Sequence, residues 1–212
     1  MKDILEKIQG AKNIYVPKGE DRKPCIAALQ EISGIEVPTF QGEDLKARSQ
    51  GRTFWLFKGM DIPRLLGRYE GVGIAGTDSV IENPSRNQDA RVVARRIGEP
   101  MCRFSILAEQ DKVDVVESML TADSRYAASM AIPTSRPRLL AGICSWRDIG
   151  FTPLEELQLS GSIEAMTSLT GIGIAADLVR TGKTARDNGL QEVYPLCDVY
   201  PEIVLRAEDA SL

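Results

Sequence analysis

Asn13-Ile14-Tyr15-Val16-Pro17-Lys18-Gly19 is an apolar run broken by Pro-Lys-Gly, and beyond it Ile26, Leu29 and Ile32 recur at helical spacing. This is strand, loop, helix. Thr53 to Phe57 repeats the pattern, leading into Lys58-Gly59-Met60-Asp61-Ile62-Pro63, where Asp61 is the expected N-cap of a helix carrying Leu65 and Leu66. Gly71 to Ala75 ends at Gly76-Thr77-Asp78, after which Ser79 to Glu82 opens another helix. Strands alternating with helices at this spacing predict a mostly parallel α/β sheet.

Past residue 100 the pattern changes. Cys102 to Ala108 reads as a strand, Lys112 to Leu120 as an acidic helix, and Met130 to Pro133 as a strand; Thr134-Ser135 then precedes a helix from Arg136 to Ile143. Leu157 to Leu159, Ile172 to Ala176 and Tyr194 to Leu196 are further short strands, and Glu202 to Arg206 closes the chain. The expected organisation is a first lobe of residues 1–104 and 191–212 and a second lobe of residues 105–190, with ligand in the crevice between them.

The 212 residues carry 26 Lys+Arg against 30 Asp+Glu, a formal net charge of −4, with no basic block, which argues against strong non-specific nucleic-acid binding. No apolar run approaches the ~20 residues of a membrane span. The charged N-terminus MKDILEKIQG does not read as a secretory signal, so the expected location is cytoplasmic. The chain has no histidine, which excludes a Ser-His-Asp triad, a Cys-His dyad and His-ligated zinc. Cys25, Cys102, Cys144 and Cys197 form no C-x-x-C pair and read as reduced core thiols, and no metal-ligating set is offered by the protein. Trp55 and Trp146 read as core or interface packing rather than base-stacking platforms.

Two motifs fail on context. Gly71-Val72-Gly73-Ile74-Ala75-Gly76 matches G-x-G-x-x-G and Gly171-Ile172-Gly173-Ile174-Ala175-Ala176 its Ala variant, but each glycine pair is expected inside a strand instead of after one. Gly182-Lys183-Thr184 resembles the end of a Walker A loop, but Asp177 stands where that loop needs Gly. The segment that survives is 177–190, DLVRTGKTARDNGL, a small-residue turn leading into a short helix stopped by Gly189. Backbone N–H groups at the helix start, with the Thr181 and Thr184 hydroxyls, make a phosphate cradle, and Arg180, Lys183 and Arg186 raise the local positive potential. Asp177 at its mouth can accept hydrogen bonds from sugar hydroxyls. The same pattern also describes an ordinary threonine-capped helix with a solvated basic face.

With Leu159-Ser160-Gly161-Ser162-Ile163-Glu164 upstream, this stretch resembles the signature of the ATP phosphoribosyltransferases: a Gly-Ser-Val/Ile-Glu segment, then Asp-x-Val-x-Thr-Gly-x-Thr before a short helix. Weaker resemblances lie in the right order at Val16-Pro17-Lys18-Gly19, at 58–63, at 71–78 and at Ile132-Pro133-Thr134-Ser135-Arg136-Pro137. The resemblance implies an α/β fold of two lobes like the type 2 periplasmic binding proteins, with mixed or parallel sheets and a cleft between lobes. It also implies the short form of the enzyme, which opens histidine biosynthesis: a homo-oligomer, as a dimer, working with a separate regulatory subunit. The implied reaction is attack of adenine N1 of ATP on C1 of phosphoribosyl pyrophosphate, with loss of pyrophosphate and with Mg²⁺ carried by the substrate phosphates. Since the N1 lone pair is free to attack, no strong base is needed, in keeping with a chain that lacks histidine.

Carried onto this sequence, the resemblance implies catalytic roles for Asp177, Glu164 and Lys18. It implies phosphoribosyl pyrophosphate binding by Asp177, Arg180, Thr181, Gly182, Lys183 and Thr184, and nucleotide binding by Lys18, Lys58 and Asp78. Glu164 equally fits a helix cap and Asp78 the first turn of a helix. The chain departs from the family's Lys-Gly-Arg with Lys18-Gly19-Glu20, places Lys58 where the family has Arg, and lacks the Ser-Arg-x-Leu segment around Thr39 to Leu45. Those differences keep two other readings in view: a phosphoribosyltransferase of the same fold acting on another base, and a non-catalytic ligand-binding relative or subunit.

Overall fold

The computed structural model describes residues 2–82, 92–121, 129–154 and 162–206. Contacts divide the chain into two compact units, Met1–Met101 with Val199–Leu212, and Cys102–Asp198. The expected boundaries at 104 and 190 fall inside one strand and just before another.

The first unit contains α1 (Lys2–Gly10), β1 (Asn13–Pro17), α2 (Arg22–Ser33), β2 (Lys46–Ser49), β3 (Arg52–Phe57), α3 (Ile62–Leu66), β4 (Val72–Gly76), α4 (Thr77–Glu82) and β5 (Val92–Arg96), and later β11 (Pro201–Arg206). Its sheet runs β2-β3-β1-β4-β11-β5. β1 pairs parallel with β3 and β4, as the strand-helix alternation requires, but β2 is antiparallel to β3, and β11 is antiparallel to both β4 and β5. The sheet is therefore mixed rather than mostly parallel. Two causes lie in the chain path. Gln50 and Gly51, at φ 50° and 73°, form a two-residue hairpin that adds β2, and β11 enters the sheet on the chain's return from the second unit. Leaving out β2, the order is second, first, third, last, fourth, which is the topology of the type 2 periplasmic-binding-protein fold.

The glycines of 71–76 are set by packing. A Cβ on Gly73 would come within 2.5 Å of Ile62 Cγ2 and 2.6 Å of Leu66 Cδ1, because α3 lies directly on β4. A Cβ on Gly76 would overlap the Asp78 carboxylate. Tyr15, Ile62, Leu66, Ala75 and Val204 form the core beneath α3. Asp61 holds the N-cap position of α3 but makes no side-chain cap bond; it ends a one-turn 3-10 helix, Gly59–Asp61, and already has helical dihedrals.

The second unit contains β6 (Cys102–Ala108), α5 (Val113–Thr121), β7 (Met130–Ile132), α6 (Pro137–Arg147), β8 (Phe151–Pro153), α7 (Ile163–Thr170), β9 (Ile174–Val179), α8 (Lys183–Asp187) and β10 (Gln191–Val199). Its three-stranded sheet runs β10-β6-β9, with β6 and β9 antiparallel, and β7 pairs parallel with β8. Leu107, Val179, Ala185 and Leu190 seat α8 on that sheet. β9 begins and ends later than expected, running through Val179 instead of stopping near Ala176, so Asp177 lies within the strand. Gly171 and Gly173, at φ 67° and 68°, precede β9 instead of sitting inside it; Gly171 caps α7, and a dinucleotide fold would need them after the strand. The expected strand at Leu157–Leu159 lies outside the described residues.

Cys25, Cys102 and Cys144 are buried and Cys197 is half-buried, none of them in a disulfide. Trp55 is half-buried, its Nε1 donating to Asn13 Oδ1 at 3.0 Å. Trp146, expected in core or interface packing, is 81% exposed near the end of α6 and so is not in the core of this chain. Among the described residues no helix is long and apolar enough to cross a membrane.

Candidate active site

In the second unit the chemistry gathers around Asp177. Ser135 Oγ donates to Asp177 Oδ1 at 2.6 Å, and the Leu178 backbone N–H supplies a second hydrogen bond to the carboxylate. The corner that carries Ser135 is stitched to β9: Ala176 N donates to Pro133 O at 3.0 Å, and Thr134 bridges Ala176 in parallel register. Arg136 N then donates to Thr134 Oγ1 at 3.0 Å, turning the chain into α6. Burial pushes the Asp177 carboxyl above its ordinary value, opposed by the Ser135 and Leu178 hydrogen bonds; Glu164 pushes it further up and Arg136 pulls it down.

Glu164 stands half-buried in the first turn of α7, near enough to Asp177 for like-charge repulsion. Ser162 holds the N-cap position at φ 57° without a side-chain cap bond. Gly161, part of the same segment, lies outside the described residues.

Past β9 the chain turns through Arg180, Thr181 and Gly182 into α8. Gly182 adopts φ 69°, which a side chain would strain, and Thr181 Oγ1 accepts from Lys183 N at 3.4 Å. Thr181, Lys183 and Thr184 are exposed. The cations are partly committed: Lys183 Nζ pairs with Asp187 one turn on, and Arg186 Nη2 donates to Thr181 O at 3.1 Å. The turn is thus braced by Arg186, and the exposed Thr184 stands in the first turn of α8, where helix N–H groups have no intrahelical acceptor.

In the first unit, Lys18, Lys58 and Asp78 follow the C-terminal ends of β1, β3 and β4, three adjacent strands of one sheet. Lys18 N donates to Phe57 O at 2.7 Å, which holds the Lys18 and Lys58 loops side by side. Both lysines are exposed, whereas Asp78 is 1% exposed in the first turn of α4, with Ser79 Oγ donating to Asp78 Oδ2 at 3.4 Å. Beside it, Thr77 Oγ1 donates to Glu202 Oε1 at 2.9 Å. Burial pushes the Glu202 carboxyl up, Thr77 and Arg96 pull it down, and Asp78 adds to the rise.

Sequence reasoning missed Ser135 as a partner of Asp177, Glu202 as a partner of Thr77, and the cluster of Arg103, Ser105 and Glu192. Arg103 Nε and Nη2 grip Glu192 at 2.8 and 2.7 Å, and Ser105 Oγ donates to the same carboxylate at 2.7 Å. Only Ser135 left a signal, the Thr-Ser before a Pro-opened helix. Among the described residues no three His, Cys, Asp or Glu side chains are grouped to hold a metal ion.

The HisG family model, ATP phosphoribosyltransferase, matches residues 58–211. The ATP phosphoribosyltransferase of Thermococcus kodakarensis is 32% identical over 185 residues, covering 87% of this chain and 82% of that protein. The enzyme of the same name from Pyrococcus furiosus is 29% identical, with 87% and 82% covered. Among solved structures, the ATP phosphoribosyl transferase (HisG:HisZ) complex from Thermotoga maritima superposes with a TM-score of 0.58 at 16% identity, covering 92% of this chain and 87% of that one, a likeness of fold. With the family model matching residues 58–211 and the Thermococcus kodakarensis enzyme 32% identical over 87% of this chain, the chain belongs to the ATP phosphoribosyltransferase family.

Proposed function

We propose that the protein is a pentosyltransferase that joins ATP, through adenine N1, to C1 of phosphoribosyl pyrophosphate with release of pyrophosphate, in histidine biosynthesis. The observation that carries this reading, beyond family membership, is the placement of a fixed carboxylate, Asp177, on the strand that runs directly into the Thr181–Thr184 turn.

The turn would hold phosphate through backbone N–H groups and the Thr181 and Thr184 hydroxyls, with Arg180 and Lys183 adding positive potential. Asp177 and Glu164 would accept hydrogen bonds from the ribose hydroxyls and stabilise positive charge as the C1–O bond to pyrophosphate breaks and the N1–C1 bond forms. Lys18, Lys58 and Asp78 at the strand ends of the first unit would serve the nucleotide, in line with the general placement of ligands outside the carboxyl ends of parallel strands. Two carboxylates fall short of a dedicated cation cage, so Mg²⁺ would be held by substrate phosphates and water, where it neutralises the departing polyanion. A homodimer, a separate regulatory subunit, for which the two-protein HisG:HisZ complex from Thermotoga maritima offers a parallel, and a cytoplasmic location complete the reading.

The test is pyrophosphate release by purified protein with Mg²⁺, phosphoribosyl pyrophosphate and ATP, with other bases in parallel. ATP-dependent release that falls about 100-fold in Asp177→Asn supports the proposal. Release with another base only favours the second reading, which is motivated by Glu20 and Lys58 in place of family Arg residues and by the missing Ser-Arg-x-Leu segment. No release with any base, alone or with a regulatory subunit added, overturns both.

A further inference from the structure

We propose that Ser135 is a positioning residue of the phosphoribosyl site, its hydroxyl clamping the Asp177 carboxylate in the orientation from which it meets the ribose. The inference rests on the reading of Asp177 given above. Four observations support it. The Oγ to Oδ1 distance of 2.6 Å is that of a charge-assisted O–H to carboxylate bond. Ser135 is 6% exposed, so its hydroxyl does not exchange Asp177 for bulk water. The corner cannot drift, since the Pro133 and Thr134 links to Ala176 and the Arg136 to Thr134 bond fix it on β9. Finally, Ser105, which faces Asp177 from β6, already donates to Glu192, so Ser135 supplies the clamp.

The charged groups that act on Asp177 from neighbouring elements are Glu164 on α7 and Arg136 at the start of α6, while Glu192 on β10 is taken up by Arg103 and Ser105 of β6. Burial and Glu164 both favour the protonated acid, while Ser135 favours the carboxylate. Removing Ser135 therefore does two things: it frees the side-chain rotamer, and it moves the ionisation of Asp177 to higher pH.

The experiment compares Ser135→Ala, Ser135→Cys and Asp177→Asn with the unaltered chain, measuring kcat and KM for phosphoribosyl pyrophosphate across pH and thermal unfolding for integrity. Ser135→Ala should lower kcat/KM about 10-fold near neutrality and move the acid limb of its pH profile up by about one unit. Ser135→Cys, close in shape and a weak donor, reports the same shift should the alanine variant fail to fold. An acid limb that stays in place in both variants, while Asp177→Asn remains impaired, overturns the positioning role alone. Full activity of Asp177→Asn removes the phosphoribosyl reading, and this inference falls with it.

Discussion

Ser105 on β6 and Asp177 on β9 stand directly opposite each other in an antiparallel pair, so their side chains share one face of the second unit's sheet. Ser105 is completely buried and spends its hydroxyl on Glu192. A carboxylate therefore flanks Ser105 on each neighbouring strand, and each is held by donors of its own: Ser135 for Asp177, Arg103 and Ser105 for Glu192. The same face carries Leu107 and Val179, two positions from that pair in opposite directions, and Ala185 of α8 clusters with them. The sheet face thus sets both the acidic groups and the helix whose start is the candidate phosphate turn.

Replacing Arg103 with Met should destabilise the protein by about 1 kcal/mol at pH 7, a modest figure because the pair is partly exposed. The Arg103 guanidinium holds the Glu192 carboxyl below its ordinary value, so the contribution is present above that value and is lost as pH falls through the lowered one. Urea midpoints at pH 7 and pH 3 should show the difference between variant and parent closing with acid. A difference that persists at pH 3 would assign Arg103 a packing role instead.

Glu202 has the opposite sign. Burial holds its carboxyl above the ordinary value, so folding favours the protonated form, and stability is lost as pH rises from the unfolded to the folded pKa. Glu202→Gln keeps an acceptor for Thr77 and removes the charge beside Asp78. It should stabilise the fold by roughly 0.5 kcal/mol at pH 7, discounted for solvent screening, with no gain at pH 3, as read by chemical denaturation.

The double variant Thr181→Val with Thr184→Val should weaken phosphoribosyl pyrophosphate binding about 100-fold, by calorimetry, while leaving the melting temperature nearly unchanged, because both side chains are exposed. Unaltered affinity would remove the phosphate role of the turn and leave a plain capped helix.

Gly73→Val should cost about 3 kcal/mol, since its side chain must displace Ile62 and Leu66 of α3. Thermal unfolding measures it. A neutral effect would show that α3 can lift off β4 freely, which would leave the G-x-G of this strand without a packing cause.

The alternation of apolar runs with helical spacing around Val16, Leu56 and Ala75 was enough to read the parallel centre of the first sheet. What it could not show was the antiparallel flanks. β2 carries Lys46 and Arg48 with little apolar signal because it is an exposed edge, and β11 finds its place only through pairing with residues more than a hundred positions away. Around the site, Asp177 and the turn were legible because a short run of chain contains them. Ser135 was not, because its link to Asp177 spans 42 residues of sequence, and Arg103 with Glu192 are 89 apart. For Trp146 the choice between core and interface packing was not legible, because an indole is apolar wherever it stands; its exposure excludes the core.

The position of β11 between β4 and β5 orders the events of synthesis. Among the described strands β5 pairs with β11 alone, and residues 201–206 are made only after the whole contiguous span from Cys102 to Asp198. A nascent chain can therefore complete the second unit while the first still shows two unpaired strand borders. Closing the first sheet is the last and longest-range step, with the slow kinetics that distant pairings bring and with a transient opening for mispairing between neighbouring nascent chains.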